Sequence, residues 1–307
     1  MNPSSDASPE FPVDSPEHVA AATQPILWSV RRELWENRSI YIAPLCVAAV
    51  VLFGFLISTI TLPRRMRALS ALDPVKQCEV VRTPYSAIAG LILLTAFIVG
   101  VFYCLDALHS ERRDRSILFW KSLPVSDRTA VLAKASVPLL ILPIVSFAII
   151  VTAQMMMLLV STAVLVGSGV GAATLWSNLK FFRSSLALVY GVISIASWHA
   201  PLYTWLLLVS GWARRAVFLW AVLPFLAIAA LEKIAFSTTY FGSLLKDRLI
   251  GWFTQAFIFQ PKKVPIDPLT ALTPGRFLST PGLWVGLVFA AIFLATAVRL
   301  RRNREPI

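Results

Sequence analysis

Charge is what this sequence has least of. Only 14% of its 307 residues are Asp, Glu, Lys or Arg, while 57% are hydrophobic. Soluble domains carry about 25% charged residues, and one of this length has no use for so apolar a core. Cysteine is scarcer still. Cys46, Cys78 and Cys104 form no CxxC pair, and two of them lie inside apolar runs, which excludes a disulfide framework and a cysteine metal site. The three histidines are isolated and HExxH is absent, as are GxGxxG, GxSxG and GxxxxGK[ST]. The glycine-rich GSGVGAA at residues 167–173 has no lysine with which to cradle a phosphate. The chain therefore has no catalytic residues, no metal site and no cofactor of its own to offer. Residues 1–24 contain no Lys or Arg but several Pro, Ser and acidic residues. They lack the basic and apolar regions of a signal peptide, so residues 1–25 read as a disordered tail.

What is present is length of apolar run. A membrane helix needs about 20 mostly apolar residues. Six stretches qualify, at residues 40–62, 85–108, 135–166, 184–210, 217–236 and 282–298. The third is too short for two crossings and reads as one helix bent at Pro138 and Pro143; the fourth bends at Pro201. The fold class is an all-α polytopic membrane protein with six transmembrane helices. Before the first, residues 26–39 place Leu27, Val30 and Leu34 at helical spacing, with Trp28 and Trp35 nearby and Arg31, Arg32, Glu33 and Glu36 on the other side. This is a helix lying in the headgroup plane or an extension of the first span.

The net charge of +12 could point to nucleic acid. However, Lys and Arg sit at the edges of the apolar runs, where they meet anionic headgroups, and no RNA or DNA motif accompanies them. The partner is the lipid bilayer. An even span count puts both termini on one side. RLRRNR directly after the last span, within a basic tail reaching residues 301–307, and Arg214 and Arg215 in the tight turn after the fourth place that side in the cytoplasm.

Between the second and third spans the chain reads DALHSERRDRSILFWKSLPVSD, residues 106–127. Ser110 reads as a helix N-cap, with Glu111 in the first turn and Arg115 one turn later. Ile117, Trp120 and Leu123 form an apolar strip that Pro124 ends, and Ser126 or Asp127 can cap the next helix. Asp106 orients the loop. Either a partner pushes on this short surface helix, or it is a basic loop anchored to lipid. On the first reading Glu111 lies at the surface, so that Glu111→Ala leaves folding intact.

The run LDALHSERRDRSILFWKSLPVSDRTAVLAK, residues 105–134, resembles the cytoplasmic loop of bacterial type-two ABC exporter permeases. The layout is also similar: an amphipathic helix, six spans and a larger outer segment before the last. The resemblance implies a coupling helix containing Glu111, Arg112, Arg113, Trp120, Leu123 and Pro124. It further implies an inner-membrane exporter powered by a separate ATPase subunit that binds ATP and Mg, with a second permease subunit as homodimer or heterodimer. An ion-coupled secondary transporter, a non-transporting scaffold or sensor, and a membrane-embedded enzyme are the other classes; few ionisable residues lie deep in the spans and no repeat is visible. Glu232 and Lys233 are either interfacial anchors or pathway residues, and His199, one turn before the bend at Pro201, fills a hydrogen-bonding role. Residues 237–281 help close an outer gate by resemblance alone. The substrate is an apolar or amphipathic molecule, since the spans offer little charge.

Overall fold

The computed structural model describes residues 25–69, 73–114, 126–258 and 267–303. The expected tail at residues 1–24 lies outside them. The chain is an all-α polytopic membrane protein; among the described residues six helical segments are long and apolar enough to cross a bilayer: Ser39–Ala68, Pro74–Arg113, Asp127–Gly167, Ala173–Trp212, Val217–Phe236 and Pro281–Asn303. The helices are α1 (Pro25–Glu36), α2 (Ser39–Ser58), α3 (Leu62–Leu69), α4 (Pro74–Asp106), α5 (His109–Arg113), α6 (Asp127–Ser136) and α7 (Leu142–Gly167). They continue with α8 (Ala173–Leu179), α9 (Phe181–Trp212), α10 (Val217–Phe236), α11 (Tyr240–Ile250), α12 (Trp252–Ala256), α13 (Pro274–Ser279) and α14 (Pro281–Asn303).

Span boundaries follow local chemistry. The fifth apolar run and α10 share the same limits. The third span bends where expected: a π-turn, Val137–Ile141, holds Pro138, and Pro143 falls in the first turn of α7. A proline ring removes a backbone donor, and a wider turn accommodates the loss. The second span is longer than its apolar part, starting at Pro74 behind Asp73. After α7 the chain reverses through Gly169 at φ +67, a backbone region open to glycine at little cost.

Span four is the hub. It packs against α14, α4, α7 and α10, and buries Trp198, His199, Thr204, Leu207 and Ser210 along its length. Close approach depends on small residues: a Cβ at Gly100 would meet the Tyr203 ring at 3.0 Å, and one at Gly211 would meet Leu108 at 3.3 Å. Spans one to three form a second core through Ile88, Ile92, Ile150 and Leu158. Span five is the loosest, burying only Val217 and Ala221. Its leucines, Phe218 and Phe236 join an exposed apolar belt with Val50, Phe53 and Val288, as a bilayer requires. Glu33 meets Lys134, and Arg301 meets Asp127, so the first helix and the end of the last share one end of the bundle, here the basal end.

Candidate functional site

Two arrangements stand out, one at each end. At the basal end five charged side chains are almost completely buried: Glu33, Glu111, Arg112, Lys134 and Arg301. Lys134 Nζ lies 2.8 Å from Glu33 Oε1 and 3.1 Å from Glu111 Oε1. Arg301 Nη1 is 2.9 Å from Glu111 Oε2, a charge contact without hydrogen-bond alignment, and its Nε donates to Asp127 Oδ1 at 3.2 Å. Tyr103 donates its hydroxyl to Glu33 Oε2 at 2.8 Å. Arg32 approaches Glu111 to 3.6 Å from the rim while donating to Glu36. Three carboxylates thus face three cations. An isolated buried ion costs several kcal/mol; here each finds opposite charge and most find a hydrogen bond. Five elements enter this one cluster: α1, α4 at Tyr103, α5, α6 and α14.

Arg112 works beside the cluster. Its Nη1 donates to the Gly211 carbonyl at 2.9 Å and reaches Ala213 O at 3.5 Å. A cation on the last carbonyls of α9 suits that helix's negative end. The segment after span two is therefore pinned to the end of span four. Arg113 alone among the three motif charges is exposed, paired with Asp114 at 3.0 Å.

These positions correct two expectations. Glu111 is 5% exposed rather than a surface residue, because Lys134 and Arg301 draw it inward. Ser110 is not an N-cap; it sits inside α5 and donates to the Asp106 carbonyl, and Leu108 occupies the cap position. Glu33, read as part of the outward polar side of the first helix, faces the interior, while Trp28 and Trp35 are exposed on either side of Arg31. Ser126 does cap α6, accepting from Thr129 N at 3.1 Å. Arg115, Ile117, Trp120, Leu123 and Pro124 lie outside the described residues.

Toward the distal end, α4 and α9 part around a cleft of about 730 Å³. Binding pockets for small molecules span about 300–1,000 Å³ and are mostly apolar. Leu93, Leu94 and Phe97 form one wall, Leu188, Gly191 and Ile195 another, and Ile250, Trp252, Phe253 and Phe257 a third. Gly191 admits the Phe257 ring, which a Cβ there would meet at 3.3 Å. Two of the polar side chains in the lining are engaged with the protein: Gln154 donates to Tyr85 O at 2.9 Å, and Arg82 Nε to Asn178 O at 2.9 Å. What the cleft offers an occupant is chiefly apolar and aromatic surface.

The third wall comes from the segment between spans five and six, held at several points. Glu232 accepts from the backbone N–H groups of Tyr240 and Phe241 and from the Thr238 hydroxyl, capping the start of α11 with a carboxylate from α10. Arg248 donates to Gly282 O at 3.0 Å and lies 4.8 Å from the centre of the Trp198 ring, while Trp198 donates to Asp247 O at 3.3 Å. Burial draws the Arg248 guanidinium below its usual range, against the pull of Asp247. Arg183 pairs with Asp267. Burial alone would raise the Asp267 carboxyl, but the Leu269 amide and Arg183 together hold it below the usual carboxylate range. Of the pathway candidates, His199 lines the cleft; Glu232 is the cap just described, and Lys233 is exposed on α10.

Lys134, Tyr103 and Arg301 were not singled out by the sequence. Lys134 carries a weak signal, a lone cation heading an apolar run, and Arg301 reads as one of several arginines in a basic tail. No protein-family model, no curated protein and no solved structure matches the chain.

Proposed function

We propose that the chain is the membrane-spanning subunit of an ATP-driven exporter of apolar or amphipathic molecules, powered by a separate ATPase subunit. The basal charge cluster is the observation that carries this reading. It binds the segment after span two to α1, span three and the end of span six, while Arg112 ties the same segment to span four. A force applied at residues 115–125 therefore reaches α1 and spans three, four and six through short polar contacts. The absence of a phosphate-binding loop in the sequence fits an engine in a second polypeptide. The distal cleft, lined by aromatic and aliphatic side chains, suits an apolar or amphipathic cargo. The exposed face of α10 suits a second permease subunit, identical or related. The setting is the bacterial inner membrane, with the basal end and both termini in the cytoplasm.

An ion-coupled carrier would place several ionisable groups along the pathway. Here the buried Glu, Lys and Arg side chains gather at the basal end and compensate one another, with His199 the single buried basic side chain among the described residues of the cleft lining, which favours the ATP-driven reading. The test is ATP hydrolysis by the affinity-purified chain. Taken from its own cell membranes it should bring with it a vanadate-sensitive ATPase; expressed alone it should hydrolyse nothing. Turnover by the chain alone, or native material free of any ATPase, overturns the proposal.

A further inference from the structure

His199 has an unusual set of neighbours for a buried ring. Its Nδ1 lies 2.8 Å from the Ile195 carbonyl oxygen and its Nε2 lies 3.1 Å from the Leu249 carbonyl oxygen. Both partners are acceptors only. A neutral imidazole carries one N–H and one lone pair, so either tautomer satisfies one carbonyl and turns a lone pair on the other. Only the imidazolium, with two N–H groups, donates to both.

We infer that His199 is a proton-binding site, and that the bound proton latches the outer helix pair α11–α12 onto span four. Of the two contacts, the one to Ile195 is within α9 and holds nothing else in place. The one to Leu249 crosses to the last turn of α11, where helix carbonyls lack in-helix donors. Losing it frees one attachment of the wall that carries Ile250 and Phe253 across the cleft. His199 itself lines that cleft, so the proton sits where closing the wall closes the cavity.

The surroundings set the sign. Span two presents the Phe97 ring edge, 5.2 Å away, and no titratable group. From its own helix comes Tyr203, at 6.4 Å between ring centres. Burial of the ring is the strongest influence against a charged imidazole, and Arg248 of α11 adds to it, moderated by Asp247 beside it; the Ile195 and Leu249 carbonyls act in favour of the charge. Gly282 and Leu283 of α14 pack against the neighbouring Trp198 and bring no charge. The attached state holds one more proton than the detached state, so acid favours attachment and rising pH releases it. Proximity to Arg248 makes the latch releasable rather than permanent. Nothing in this latch depends on what powers transport.

The measurement is a distance across the cleft. Spin labels at Gly90→Cys and Phe253→Cys, in a chain lacking Cys46, Cys78 and Cys104 and reconstituted in lipid nanodiscs, report the width by pulsed electron resonance. At about pH 5.5 the distribution should be narrow and short; at about pH 8.5, beyond the usual histidine range, it should broaden and lengthen by several ångström. His199→Gln, which cannot titrate, should give one distribution at both pH values. A wild-type width that ignores pH, or the same pH response in His199→Gln, overturns the latch. If the glutamine variant fails to fold, ring ¹⁵N spectra decide the matter in a chain with His18→Gln and His109→Gln and His199 intact. Two protonated ring nitrogens at the lower pH support the proposal, and a single neutral tautomer there defeats it.

Discussion

Glu111 shows how much one buried carboxylate can depend on its neighbours. Exposed, it would contribute only the few tenths of a kcal/mol of a surface ion pair. Inside the protein, removing it takes from Lys134 and from Arg301 one of the two carboxylates that each faces, which costs up to about 3–5 kcal/mol. Glu111→Ala should therefore lower the thermal midpoint and the yield of folded protein in detergent, and Lys134→Ala should do the same. The double variant should lose much less than the sum of the two, because it removes charge of both signs; the difference is their coupling energy. Additive losses would mean that the two groups do not sense each other. The sequence made the charges visible but not the pairing. Glu33 and Lys134 are separated by 101 positions, and a helical wheel reports which face a residue shares, not what that face meets. Glu111 and Arg115 look like natural partners at i and i+4; Arg115 lies outside the described residues, and the described partners of Glu111, Lys134 and Arg301, are distant in sequence.

At the scale of elements, hydropathy did most of the work, because each span must bury its own backbone polarity and so declares itself by length. The fifth span has the same limits in sequence and structure, and the proline-marked bend in the third became a π-turn. The segment between spans five and six was hardest to read. Its helices are short, and its attachments come from distant residues such as Trp198, His199 and Glu232. Its far end is fastened by Arg183 and Asp267. Asp267 is held below its usual range, so its pairing is in force above the unfolded carboxylate value and fades as pH falls through the lowered one. Limited proteolysis of residues 257–272 should accelerate only in acid below the ordinary carboxylate range, and Asp267→Asn should be cleaved readily at every pH. Identical cleavage rates in the two chains would remove this ion pair from the account.

For the whole molecule, the even number of spans makes a topological commitment. A reporter fused after Ile307 should lie in the cytoplasm and one inserted at Lys262 on the opposite face. Both on one face would mean that a span is miscounted. The two ends are far from symmetrical in build, since spans two to four run for 40 or 41 residues and spans five and six for 20 and 23. The longest helices of spans two to four, α4 with 33 residues, α7 with 26 and α9 with 32, measure about 40–50 Å at 1.5 Å per residue, longer than the roughly 30 Å hydrocarbon layer of a bilayer.

Cations stand at both rims of the bundle. Arg64, Arg65, Arg67, Lys76, Arg82, Lys180 and Arg183 ring the distal side, and Arg31, Arg38, Arg128, Arg299 and Arg302 the basal one. Long basic side chains reach for phosphate at whichever headgroup layer is nearer. A plug gripped this way from above and below is hard to push along the membrane normal, because either rim would have to drag its cations into oil. Tilting costs far less, since it trades one set of headgroups for another. For the exporter proposed above, the working stroke should be a rocking of rods about a fixed depth rather than the travel of a piston.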